Sequence, residues 1–161
     1  MPDSELGPAA LRLCVRRTPV PGPGGTSVEV SLRVPSDVGC VEEVVDLVDR
    51  HCCQGQCTAS RRFRFNLRVV VAEALANAII AGNGEDHSKV VLIRAELKED
   101  LVLLSVTDEG QGFDVNALPR EPDLPDPDRS NGRGLFLIRH LVDDFYFNPQ
   151  GNSICMTLRR H

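Results

Sequence analysis

Between Val69 and Ala81 the chain reads VVVAEALANAIIA, and only Glu73 and Asn77 in that run are polar. A spacing of four puts both on one helical face, a turn apart. A carboxylate buried without a partner costs roughly several kcal/mol. The pair is therefore either satisfied inside the core or lines a polar pocket in an apolar wall. In a pocket, the carboxylate can serve as a base, and the amide oxygen is a hard donor suited to Mg²⁺. A second group, Asp108-Glu109-Gly110-Gln111-Gly112-Phe113, directly follows a strand pattern. It supplies an acceptor carboxylate and two positions where backbone can closely approach a flat ligand. A third, Gly132-Arg133-Gly134-Leu135, opens a helical pattern. Amide N–H groups at a helix start favour an anion. Taken singly, the second is better explained by an ordinary turn, and a plain loop-to-helix junction explains the third; the order and separation of all three are specific.

The elements that must position these groups are legible from periodicity. Residues 1–26, rich in proline and glycine, read as a flexible tail with one short strand at Leu11–Arg16. Val28–Val34 alternates as a half-buried strand and stops at Pro35. Ser36 is the expected N-cap of a helix reaching about Cys52, with Val41, Val44, Val45 and Val48 on its packing face. The next helix, Asn66–Ala81, carries Glu73 and Asn77, is expected to be largely buried, and ends at Gly82-Asn83-Gly84. Lys89–Leu97 and Leu101–Thr107 form an antiparallel hairpin. Residues 114–131 make a polar loop with four prolines and five acids. Gly134–Val142 is helical, with Leu135, Phe136, Ile138, Leu141 and Val142 packing inward and His140 on the surface. Phe145–Asn148 and Ile154–Arg159 close a hairpin, with Phe145 and Phe147 assigned to opposite faces. The order predicts an α+β fold: a two-layer sandwich with a mainly antiparallel, mixed sheet and helices on one face.

Bulk properties narrow the function. The 161 residues suit one domain, and the net charge of −5 argues against nucleic acid as a primary ligand. No stretch is read as approaching the roughly 20 apolar residues of a membrane span, and Met1–Ala10 lacks a basic-then-apolar signal pattern, so the expected location is cytoplasmic. The 6 cysteines include no Cys-x-x-Cys pair. His51, Cys52, Cys53 and Cys57 are read as reduced thiols near a helix end rather than a zinc site.

EALAN (73–77), DEGQGF (108–113) and GRGLFLI (132–138) resemble the N, G1 and G2 boxes of the gyrase, heat-shock chaperone, histidine kinase and mismatch-repair ATPase superfamily, which shares the Bergerat ATP-binding fold. The resemblance runs from about Ser27 to Arg160, with 27–161 as one ATP-binding kinase domain. VAEALANAII and the compact length are most similar to bacterial anti-sigma factor serine kinases of the RsbW type. That resemblance implies ATP and Mg²⁺ as cofactors and a homodimer as the usual assembly. It further implies binding of a sigma factor and phosphorylation of a serine on an anti-anti-sigma (STAS-type) partner. By position, Glu73 would be the general base and Asn77 the Mg²⁺ ligand. Asp108 would accept from the adenine amino group, and Gly110 and Gly112 would let backbone approach the adenine. Gly132 and Gly134 would present amides to phosphates, with Arg133 adding charge, and 114–131 would be the ATP lid.

Two departures stand out. Relatives often carry His-Gly after the N-box helix, where this chain has Ala81-Gly82-Asn83, and its lid segment PREPDLPDPD (119–128) is unusually acidic and proline-rich. The first motivates a rival reading, a nucleotide-holding module that sequesters a partner with little turnover. A stand-alone histidine-kinase-like catalytic domain is a further alternative. Its substrate histidine would have to come from another protein, because none of His51, His87, His140 and His161 is followed by an acid on a helix.

Overall fold

The computed structural model describes residues 10–21, 25–53, 59–118 and 130–161, with backbone alone for 130–132. Much of the expected tail, Cys57 and most of the expected lid lie outside the described residues. In chain order the elements are β1 (Arg12–Pro19), β2 (Thr26–Pro35), α1 (Val41–Cys53), α2 (Arg61–Asn77), β3 (Val90–Leu97), β4 (Leu101–Thr107), α3 (Ser130–Leu141), β5 (Asp144–Phe147) and β6 (Ser153–Arg159). Short 3₁₀ turns at Val38–Cys40 and Val115–Ala117 and a π turn at Ala78–Gly82 complete them.

The strands form one six-stranded sheet, ordered β1-β2-β3-β4-β6-β5, and every described pairing is antiparallel. Strand alternation turns Val30, Leu32, Ile93, Ala95, Leu104, Val106, Met156 and Leu158 to one face, where all are buried. The helices cover that face, with α2 packed between α1 and α3. Val44, Val48 and Cys52 of α1 and Phe63, Leu67, Val70, Val71, Ala74 and Leu75 of α2 complete the core. Each such large side chain contributes about 1.5–3 kcal/mol on burial. The expected α+β two-layer sandwich is the observed fold.

Several local expectations are corrected. The N-terminal strand is longer than the one expected within a loose tail, running Arg12–Pro19 in continuous register with β2. Ser36 is not an N-cap. It is buried, and its Oγ accepts from Asn83 Nδ2 at 2.6 Å; Asp37 caps instead, accepting from Gly39 N at 2.9 Å. α2 starts at Arg61, five residues before the expected Asn66, because Ser60 Oγ accepts from Phe63 N at 3.1 Å. α2 is also only half-buried rather than enclosed. Phe65 is 62% exposed, and Glu73 and Asn77 are part-exposed. The helical run Arg61–Gly82 is long and apolar enough to cross a membrane by length and composition, contrary to expectation. It packs as a core helix, with Arg61, Arg62, Arg64 and Arg68 along its first two turns. Phe145 and Phe147 lie on the same face of β5, as a period of two dictates, with ring centroids 6.2 Å apart.

Candidate functional site

α2 does not stop at Asn77 but widens into the π turn Ala78–Gly82, where Asn83 N donates to Ala78 O and Glu85 N to Ile79 O, both at 2.8 Å. Such bulges redirect backbone at functional sites. Here the widened turn brings Gly82 against the end of β4. A β-carbon on Gly82 would collide with the Asp108 carboxylate, and one on Gly110 would collide with the Gly82 carbonyl. The glycine requirement at 82 and 110 is thus set by protein packing on protein. The same holds at Gly112, where φ is +76° and a β-carbon would run into the Gln150 carbonyl.

Asn83, a residue sequence reasoning read only as part of a helix stop, ties these pieces together. Its side chain is buried. Nδ2 donates to Ser36 Oγ at 2.6 Å and Val90 O at 3.0 Å, while Oδ1 accepts from Glu109 N at 2.8 Å. Glu109 Oε2 in turn accepts from Val90 N at 2.8 Å. On the far side, Asn152 Nδ2 donates to Asp108 O at 3.1 Å, and Asp108 N donates to Asn152 O at 2.9 Å. Asn148 Oδ1 accepts from the N–H groups of Gly151, Asn152 and Ser153 at 2.8–3.1 Å, holding that turn. Polar residues next to glycines were the available signal, but their partners lie up to 47 positions away.

The result is a cavity of about 690 Å³ lined by Ala74, Asn77, Gly82, Lys89, Asp108 and Gly110, with Gly112, Phe113, Leu135 and Ile138 among the others. Asp108 Oδ1 accepts from Gly110 N at 2.8 Å. Desolvation raises the Asp108 pKa above the ordinary carboxylate value, against the lowering effects of the Gly110 amide and Lys89. Lys89 is a lining residue that the sequence reading treated only as the start of a strand. Glu73 stands outside the lining set, one turn before Asn77. A β-carbon on Gly134 would lie 2.8 Å from Glu73 Oε2 and 3.0 Å from Asn77 Nδ2. α3 begins at Ser130, four residues earlier than expected, so Gly134 is inside the helical hydrogen-bond ladder. Gly132 falls in the first turn, where N–H groups have no intrahelical partner, and Arg133 is exposed. Among the described residues, Arg133 and Gly134 do not line the cavity.

A cavity of this size, apolar with a few convergent polar groups, suits a nucleotide-sized ligand. Among the described residues no group of three or more His, Cys, Asp or Glu is arranged to hold a metal. The Asn77 amide oxygen is a hard donor among the lining residues. That donor set fits a cation arriving with phosphate oxygens and water, not a cation caged by protein.

The family described as the histidine kinase-like ATPase domain matches residues 34–158. The chain is 32% identical over 97 residues to the serine-protein kinase RsbW of Oceanobacillus iheyensis, covering 56% of this chain and 61% of that protein. It is 37% identical over 91 residues to an anti-sigma F factor of Clostridium perfringens, covering 55% and 64%. It is 30% identical over 99 residues to an anti-sigma F factor of Geobacillus thermodenitrificans, covering 59% and 67%. The matched segment thus spans about three fifths of the first two relatives. With a family match over most of its length, residues 34–158, the chain belongs to the histidine kinase-like ATPase domain family.

Proposed function

We propose that the chain is an anti-sigma factor serine kinase. It takes ATP with Mg²⁺ into this cavity, binds a sigma factor, and phosphorylates a serine on an anti-anti-sigma partner of the STAS type, working in the cytoplasm as a homodimer. The observation that carries this reading is that Asn77 and Asp108, 31 positions apart in sequence, line one cavity with Glu73 a turn away against Gly134. The family and the printed names of the relatives support the same assignment.

In this reading Asp108 accepts from the exocyclic amine of adenine through the carboxylate oxygen not held by Gly110. The Gly82–Gly110 backbone contact and Gly112 form the surface against which the base lies. Asn77 contributes an amide oxygen to Mg²⁺, which offsets phosphate charge when bound. Gly132 and Gly134 sit in the helix that carries the phosphate end, and Arg133 adds positive charge there. Glu73 takes the proton from the attacking serine hydroxyl as the serine Oγ–P bond forms and the bond to the ADP leaving oxygen breaks. Such transfer depends mainly on positioning and charge stabilisation, which a small preformed pocket supplies.

Incubation with γ-labelled ATP and a cognate anti-anti-sigma protein is expected to yield phosphoserine, and Glu73→Gln is expected to reduce transfer by about 10²–10⁴-fold while leaving nucleotide affinity within severalfold. Unchanged transfer in that variant removes Glu73 from the base role. One observation favours a second reading, a nucleotide-holding module with little turnover. The run Ala81-Gly82-Asn83 lacks the histidine common in relatives, and the Asn83 side chain is committed to Ser36, Val90 and Glu109. Tight ATP binding without phosphorylated partner selects that reading.

A further inference from the structure

The sheet has two edges, β1 and β5, and among the described residues no strand covers the outer side of β1. All eight residues of β1 are exposed. An open edge offers a row of N–H and C=O groups that can pair with another chain, and proteins ordinarily blunt it. Among the described residues nothing pairs with the outer side of β1 (RLCVRRTP), and its charges are one-sided: Arg12, Arg16 and Arg17 with no acid, in a chain of net charge −5.

Register sharpens the point. On the sheet face away from the helices, Arg12 sits directly opposite Arg33, and Arg94 lies opposite Ser31 on the next strand. Like charges directly opposed on neighbouring strands are destabilising. Among the described residues, none of Arg12, Arg16, Arg17, Arg33 and Arg94 has an ion pair. Glu29 is opposite Arg16 but accepts from Ser31 Oγ at 3.3 Å instead. On the helix side, Leu13 and Val15 continue the rows of buried Leu32 and Val30, yet they are 41% and 39% exposed. Charged residues and a proline on an edge strand are ordinary blunting devices, but an exposed apolar pair on the same strand works against them.

We propose that β1 is a docking edge for an extended acidic segment of a partner protein, which adds as a further strand. Its carboxylates face Arg12, Arg16 and Arg33, and its alternate apolar residues extend the Leu13–Val15 row. Strand addition of this kind draws affinity from main-chain bonds and specificity from alternate side chains. A second copy of this chain on the same edge would bring six arginines, three from each β1, onto one seam. A nucleic acid would satisfy the arginines but neither the main-chain row nor the apolar pair. The inference is independent of the nucleotide reading, because no lining residue of the cavity belongs to β1 or β2.

The test is an NMR titration of the full chain with a capped octapeptide alternating Glu and Val. Amide shifts confined to β1 and its neighbours on β2 are expected, with affinity falling at least about tenfold in R12E/R16E and weakening with salt as exposed charge contacts do. The same peptide N-methylated at every second residue, tested in both phases, is expected to lose binding in the phase that faces the edge. No β1 shifts at millimolar peptide would overturn the proposal. So would equal binding by R12E/R16E, loss in neither N-methylated phase, β1 shifts with oligo-dT and not with peptide, or concentration-dependent β1 shifts without any peptide. Unchanged spectra outside β1 in R12E/R16E establish that the variant is folded.

Discussion

At the residue scale, the glycines of the three motifs divide by what stands against them. Gly110 meets the Gly82 carbonyl and Gly112 the Gln150 carbonyl, so at both backbone opposes backbone, while Gly82 meets the Asp108 carboxylate, which the Gly110 amide holds in place. Gly134 instead meets the ends of two side chains, Glu73 and Asn77, which can swing aside. The two kinds should therefore behave oppositely on substitution. Gly112→Ala, with a positive φ and a blocked Cβ position, is expected to lower unfolding free energy by about 1–3 kcal/mol or more in denaturant titration. Gly134→Ala is expected to hold or raise stability by up to about 1 kcal/mol, since alanine favours a helix interior. Its phosphoryl transfer should nonetheless fall by about 100-fold, because a displaced Glu73 and Asn77 lose their alignment. A Gly134→Ala variant that is destabilised with full specific transfer would contradict this division. The motif spacing exposed these glycines as special but not the difference between them, which depends on which atoms the fold presses against each α-carbon.

At the element scale, α2 is the part on which the site depends, and it is anchored on the side away from the cavity. Buried Asp49 of α1 accepts from Arg64 Nε at 3.1 Å and Nη2 at 2.8 Å and from Arg68 Nη1 at 3.2 Å, and Arg68 also reaches Asp46 at 2.7 Å. The Arg64 hydrogen bond is the main reason the Asp49 pKa lies below the ordinary carboxylate value. A carboxyl with a lowered folded-state pKa adds stability above its unfolded value, and that stability is lost as pH falls through the folded value. Asp49→Asn is accordingly expected to cost about 1–2 kcal/mol at pH 7, where both guanidinium partners remain partly solvated. The gap between variant and parent should close below about pH 4, as read from urea midpoints across pH. A gap that stays constant with pH would assign the cost to packing instead. Periodicity located α1 and α2, but no pattern within either helix showed that the two are pinned by a shared aspartate. Likewise the stop signal Gly82-Asn83-Gly84 marked where α2 ends without showing that the end widens into a π turn.

At the scale of the whole molecule, the cavity lies where α2, α3, the end of β4 and the β5–β6 turn converge, so occupancy ties four elements together. A ligand that binds only the folded chain stabilises it by about 2.7 kcal/mol at a hundredfold excess over Kd, which corresponds to roughly 5–10 °C for a domain of this size. ATP with Mg²⁺ is expected to raise the thermal midpoint by that amount in calorimetry, and Asp108→Asn to remove most of the shift; an equal shift with GTP would argue against adenine selection by Asp108. The sequence by itself determined the α+β class, the alternation of each strand, the pairing of Glu73 with Asn77 on one helix, and the family, because periodicity and motif spacing are local quantities written along the chain. Only the tertiary structure decided that Asn83 and Asn152 brace the Asp108 loop, that Lys89 joins the cavity, that Ser36 serves Asn83 rather than a helix, and that, among the described residues, β1 is an edge strand whose arginines have no ion pair. Those facts depend on which distant residues the sheet order and the π turn bring within hydrogen-bond reach, and contacts across tens of positions leave no periodic trace in the sequence.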